Sequence, residues 1–290
     1  MEKVREFWLE NANGEKYSLH SVKTFLNEPS GLGYGVNLNT VRLGNSDLIV
    51  SENYNLGSVS GELLFMEGRL PAYQQYLAFA HFLYSRPIIL HYKTPATNAE
   101  YQCQVRIIDL QKTEVAQDGI MHCPISMYRQ TLWYTAQPNI LEADNTVEDS
   151  KQYPLEREYH YGFSSMNNMT LYNDGVADTP LLVEIFGECQ DPIWRLYTED
   201  GTQYGACKII GTYDYVAVNS DDLEESIVLE HNGSVIPNAI NYQDLSVGSP
   251  REVFVTFLKL HPGTSKLVFT MDENFSGYCR LTWRHAYATV

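Results

Sequence analysis

Eight histidines, five cysteines and 36 acidic residues give this 290-residue chain ample material for acid–base, nucleophilic or metal chemistry, so their spacing has to decide whether any is assembled. The histidines are scattered, with no HxxxH or HExxH pair that would aim two imidazoles at one zinc ion. Cys103, Cys123, Cys189, Cys207 and Cys279 are odd in number, far apart and without a CxxC pair, a pattern expected of free, buried thiols. His122 and Cys123 are neighbours in a predicted strand, so their side chains point to opposite faces and form no nucleophile–base pair. No GxSxG elbow occurs. Acidic pairs such as Glu156/Glu158 and Asp221/Asp222 follow from acidic composition, and "SDDLEES" lacks the glycine and ligand spacing of a calcium loop. "GLGYG", residues 31–35, runs into alternating strand-like sequence. A phosphate-binding loop needs a helix N-terminus there, so a turn is expected. The sequence therefore nominates no catalytic residue, no metal ligand and no cofactor. Groups that converge from distant strands stay invisible at this level.

Charge narrows the partners. The net charge is −16, unevenly shared: residues 1–138 carry 11 Lys/Arg against 13 Asp/Glu (−2), and residues 139–290 carry 9 against 23 (−14). With no basic stripe to neutralise phosphates, stable nucleic-acid binding is not expected, and the acidic half would repel anionic membranes. No apolar run approaches the roughly 20 residues that cross a bilayer as a helix. The start "MEKVREFWLEN" has charges on both sides of its few hydrophobic residues and does not read as a secretory signal, so residence in the cytoplasm or in a particle is expected. The Asn-x-Ser/Thr sequences at Asn168, Asn232 and Asn274 then carry no glycan.

The elements that position these residues are mostly strands. "FWLENANGEKYSL" alternates on both sides of Asn13-Gly14, a hairpin signal that puts Phe7, Leu9, Tyr17 and Leu19 on one face. "LIVSENYNLGSVSGELLF" reads as strand, turn, strand, and Asp118-Gly119 marks a further hairpin. One helix is expected, from about Leu70 to Arg86, with Pro71 in its first turn and Pro87 stopping it. Leu70, Tyr73, Leu77, Ala80 and Tyr84 form a stripe, while Tyr76, Phe79, Phe82 and Leu83 widen the apolar surface beyond it. Such a helix needs cover on more than one side. Packing in its own domain supplies part of it, and Tyr76, Phe79 and Phe82 are candidates for contact with a neighbouring subunit. The polar, acidic "TAQPNILEADNTVEDSKQYPLERE" is the candidate linker. Beyond it, short strands separated by turn residues carry the spacing of a β-sandwich.

The order of these pieces resembles the distal tail proteins of long, non-contractile bacteriophage tails. The opening hairpin, the "GLG" after it, Lys112-Thr113-Glu114 near the last hairpin of the first half, the "TLWY" strand end and "LYNDGVADTPLLVEIFGE" carry the likeness. The resemblance implies a mainly β protein. Residues 1–138 would form an α+β N-terminal ring-forming domain, a small β-sandwich with the helix at about 70–86 and an extended hairpin. Residues 139–290 would form a galectin-like β-sandwich. It further implies a structural adaptor of the tail tip, not an enzyme. Six copies would close into a ring that joins the tail tube protein to the tail-tip hub protein and, in some members, to a receptor-binding protein. Such a chain belongs to a virion, assembled in the host cytoplasm and encoded by a phage or a prophage. Two other readings stand beside it: a carbohydrate-binding lectin-like module, for which Trp194, Trp283 and several tyrosines offer aromatic rings, and a cell-wall hydrolase with two acids across a β groove.

Overall fold

The computed structural model describes residues 5–95, 97, 99–144, 147–148, 163–164, 168–237, 239, 257–270 and 277–290. The later part of the expected linker, from 145 to 158, lies outside them apart from 147–148, as do Glu156/Glu158, Asn274 and the front of the expected strand "EVFVTFLKLHPG". The protein is mainly β, with antiparallel sheets and one helix. Two compact units emerge: residues 1–137 with 286–290, and residues 138–285.

In the first unit the chain runs β1 (Glu6–Glu10), β2 (Lys16–Ser18), β3 (Thr24–Ser30), β4 (Val36–Leu43), β5 (Ser46–Tyr54), β6 (Ser58–Phe65), α1 (Arg69–Phe82), β7 (Ile88–Lys93), β8 (Glu100–Leu110), β9 (Met121–Arg129) and β10 (Trp133–Thr135). The main sheet has the order β2-β1-β7-β8-β9-β6-β3. Alternation explains it: on β9 every second residue is buried, so Met121, Cys123, Ile125 and Met127 enter one core while His122 and Tyr128 stay outside. The eleven-residue β8 serves both halves of the sheet, pairing β7 along Glu100–Val105 and β9 from Val105 onward past a bulge at Ile107/Asp109. The two ends of the sheet meet at Leu19, whose N–H reaches Phe7 O at 2.9 Å and whose carbonyl accepts from Leu26 N at 2.8 Å. With the isolated bridge His20↔Phe25 beside it, that contact pins the two edge strands together locally. The strand Ala286–Tyr287 joins β10 through Trp133↔Tyr287 and Tyr134↔Ala286, so the last residues complete the first unit.

The opening hairpin forms, with Phe7, Leu9 and Leu19 buried, but its turn is wider than two residues. Asn11 caps it: its Oδ1 accepts from the N–H groups of Asn13 (3.0 Å) and Glu15 (3.1 Å). The helix spans Arg69–Phe82, four residues shorter at its end than expected. Proline at 87 disfavours the helical conformation at Arg86, and Tyr84 N already bonds His81 O in a tightened last turn.

The second unit is a two-sheet sandwich. One sheet orders Asn139–Asp144, Tyr278–Trp283, Thr179–Gln190, Thr212–Asn219, Ser226–His231 and Ser234–Ile236, with Lys259–Leu260 beside Thr179–Pro180. The other orders Met169–Asn173, Gly263–Thr270, Ile193–Thr198 and Gln203–Lys208. Their inner faces interdigitate through Leu171, Ile185, Trp194, Val216, Phe269 and Leu281, all at most 1% exposed.

Candidate subunit and partner interface

The cysteines and His122 are placed for structure. All five cysteines are buried and free. Burial raises the thiol pKa of each: of Cys189, Cys207 and Cys279 to about 12, and of Cys103 and Cys123 also upward. Thiols so disposed are poor nucleophiles. His122 pairs with Glu62 at 3.1 Å on the outer face of β9 while Cys123 enters the core, as their alternation requires. Among the described residues no group of three or more His, Cys, Asp and Glu is placed to hold a metal ion.

The Lys112-Thr113-Glu114 run fastens the helix. Lys112 Nζ lies 5.4 Å from the Tyr73 ring centroid, Glu114 accepts the Tyr73 hydroxyl, and Thr113 Oγ1 donates to His122 O at 2.6 Å. A side chain on α1 is thus tied to the β8–β9 connection from two sides.

Of the three helix residues expected at a subunit contact, Phe79 is wholly inside its own unit. It is 0% exposed and packs on Tyr17 (4.8 Å between ring centroids), Phe65 (6.2 Å) and Phe82 (6.3 Å). Tyr76 and Phe82 are half-buried against the same core, and burial pushes the Tyr76 hydroxyl pKa up. The helix buries Ala72 and Phe79, half-buries Tyr76 and Leu83 on the same face, and turns Leu70, Leu77 and Tyr84 outward, 69%, 54% and 76% exposed. This corrects the expected stripe. Where apolar residues run round most of a helix, periodicity does not choose the buried face, and here the larger aromatics took the core.

Two further features are open. The β4–β5 hairpin forms an arm: a separate two-stranded sheet with no buried residue, carrying exposed Leu38, Val41, Leu43, Leu48, Ile49 and Val50. An isolated two-stranded ribbon is at best marginally stable in water, and an apolar surface of that extent on one marks contact with another surface. Next to the helix end is a groove of about 450 Å³ lined by Leu83, Tyr84, Pro87, Ile88, Ile107 and Leu110. Because β7 stops pairing at Val105, the Arg106–Leu110 part of β8 has no partner on that side among the described strands, and Ile108 is 60% exposed. The sequence signal for the arm was the alternating stretch after "GLGYG"; nothing in it announced that both faces would stay open.

In the second unit, the tryptophans considered for a sugar platform are inside: Trp194 is 0% exposed, and Trp283 is 9% exposed with its indole N–H on Tyr172 O at 3.0 Å. The lectin reading loses its two tryptophans there, while tyrosines such as Tyr172, 54% exposed, stay accessible. A cavity of about 430 Å³ is lined instead by Tyr204, His261, Asp178, Glu225 and Lys259. His261 stacks on Tyr204 at 4.1 Å between ring centroids and pairs with Asp178 at 2.7 Å, so those groups already engage one another.

Residues 6–130 match the family of the distal tail protein, N-terminal domain. No curated protein matches the chain. Among solved structures, a chain of the phage p2 baseplate in its activated conformation with Sr is 15% identical, with a TM-score of 0.63, covering 99% of this chain and all of that one. The Ca form gives 15% and 0.62 over the same shares. The SPP1 Dit protein, described as a paradigm of the hub adsorption apparatus in phages infecting Gram-positive bacteria, is 11% identical, with a TM-score of 0.57, covering 96% of this chain and 98% of that one. At such identities the structures speak for the fold, which extends over nearly the whole chain. The family match speaks for residues 6–130, which are those of a distal tail protein N-terminal domain.

Proposed function

We propose that the chain is a structural adaptor of the phage tail tip. Six copies close into a ring joining the tail tube protein to the tail-tip hub protein and to host-recognition proteins, the receptor-binding protein among them. The virion component is assembled in the host cytoplasm, from a phage or prophage gene, and carries out no catalytic step. The observation that supports the ring is the coexistence, on a unit with a complete core, of two different open surfaces: the apolar arm, and the edge and groove beside the helix end. When one patch meets a different patch on an identical copy, the contact is heterologous, and a suitable rotation closes it into a ring. The arm's free strand edge is complementary to the Arg106–Leu110 edge by backbone hydrogen bonding. Asp47 is already paired with Arg42 on the arm at 3.5 Å and Asp109 stands beside Arg86 and Arg106 in the groove, so it is the backbone edge and the apolar side chains, not charge, that carry the pairing. Leu70, Leu77 and Tyr84 flank that contact on the helix, with Tyr76 and Phe82 behind them.

Native mass spectrometry of the full chain tests this. A species of six times the 33.1 kDa chain mass, or twice that for stacked rings, is expected. A monomer at every concentration, persisting when tail tube and hub proteins are added, would overturn it.

A further inference from the structure

The arm leaves the domain through two feet, each held by a different distant stretch of chain, and the two holds are joined to each other. On the way in, Leu32 O accepts from Thr289 Oγ1 at 2.8 Å and from Val290 N at 3.4 Å. On the way out, Asn55 O and Leu56 O both accept from the Arg129 guanidinium, Asn55 O from Nη2 at 3.1 Å and Leu56 O from Nε. The third guanidinium nitrogen, Nη1, donates to Ala288 O at 3.4 Å, in the same segment that holds Leu32. Arg129 N adds a bond to Gly57 O at 3.0 Å, and Asn55 N closes the base of the arm on Gly35 O at 2.9 Å.

Arg129 is 2% exposed and has no carboxylate partner among the described residues. Its charge is met by these carbonyls and by the Trp133 ring, 5.9 Å away, and Trp133 is itself paired to Tyr287. A buried cation without a counter-ion is costly. A planar guanidinium spreads its donors over three nitrogens in a fixed fork and so meets three carbonyls from two remote segments in set directions, whereas a lysine offers them all from one nitrogen on a flexible stem. Leverage makes such a grip matter. At about 3.4 Å per residue the eight-residue β4 is roughly 27 Å long, so a foot loosened by about 10° moves the tip by about 5 Å, one strand spacing.

We infer that Arg129 and Ala288–Val290 form a positioning clasp that fixes the direction of the arm. The consequence for assembly, that the arm is held ready for a second copy, rests on the ring reading; the clasp itself does not.

The test is the width of a distance distribution between spin labels on Asn45→Cys at the arm tip and Val22→Cys on the domain surface, with labelled chains diluted by unlabelled ones. The native cysteines are buried and leave the labels selective. The parent is expected to give one narrow peak. Arg129→Met, and independently Thr289→Val/Val290→Pro, are expected to broaden it at least twofold, and Arg129→Lys is expected to fail to restore it. The double variant changes the last two residues, of which Val290 only borders the core as a partly buried side chain, so it reports even where Arg129→Met does not fold. An unchanged width in the folded double variant, or a broad distribution in the parent, would overturn the clasp. Ring mass is read separately: a monomeric parent with a narrow peak sinks the ring and leaves the clasp standing.

Discussion

Gly31 sits at φ +84°, where a side chain is strained, and a Cβ there would lie 1.9 Å from Ser58 O on a neighbouring backbone. Two chain segments cross at that point, which gives the first glycine of "GLG" its physical reason. Gly31→Ala should destabilise the first unit by about 1–3 kcal/mol or more, read from the urea midpoint of the full chain. Gly33, where an added Cβ would meet nothing within 4 Å, should tolerate alanine in the same assay. His91 belongs to the same scale. It is 6% exposed, stacked on Trp8 at 4.9 Å, with Glu100 3.3 Å and Glu10 3.5 Å from its two ring nitrogens. Burial lowers its pKa below the ordinary 6.5, outweighing the upward pull of Glu100 and Glu10. The unfolded chain therefore binds a proton that the folded chain refuses. Stability is fully present above 6.5 and falls as pH drops through and below that value. Urea midpoints measured well above and well below 6.5 should show that fall, and His91→Gln should flatten it. Neither role was legible in sequence: "GLG" was visible as a turn, but the crossing backbone comes from residues 27 positions later, and the carboxylates reach His91 from two other strands.

At the scale of elements, strand pattern was the most readable property and open surface the least. β9 alternates so strictly that its buried face follows from residue types alone. The arm alternates as well, yet both its faces are exposed, because burial needs a second layer and no other sheet of its own unit supplies one. Its role is tested by Leu48→Lys and Ile49→Glu. Each side chain is 54% exposed, so stability should change by no more than about 0.5 kcal/mol, while the ring, measured by native mass, should be lost. Ile108→Glu on the receiving edge should give the same phenotype, and either variant assembling normally would remove that surface from the contact. The helix taught a related lesson: its existence and its proline stop were legible, its inward face was not, since apolar residues ring most of it.

At the scale of the molecule, two cores lie in two stretches of chain, and the first is completed by Ala286–Val290. Leu63 and Leu281 are each 0% exposed, one in each core. Leu63→Ala and Leu281→Ala should each cost about 2–5 kcal/mol through lost burial and a residual cavity. Calorimetry should find that each shifts mainly the transition of its own unit; a single transition moved equally by both would mean that the units unfold together. Of the net charge of −16, −14 lies on residues 139–290, so the field outside the molecule is set mainly by the second half of the chain.

The sequence by itself determined the elements: alternation of residue types and turn chemistry act over a few residues, and they dictated a strand-rich chain with one helix and no assembled catalytic pattern. Tertiary structure decided which faces stay open, which aromatics enter the core, and that Arg129, 73 residues beyond Leu56, and Thr289, 257 residues beyond Leu32, hold the two feet of the arm. Burial and long-range hydrogen bonding depend on what the rest of the chain brings alongside, and no local pattern of residues encodes that neighbour.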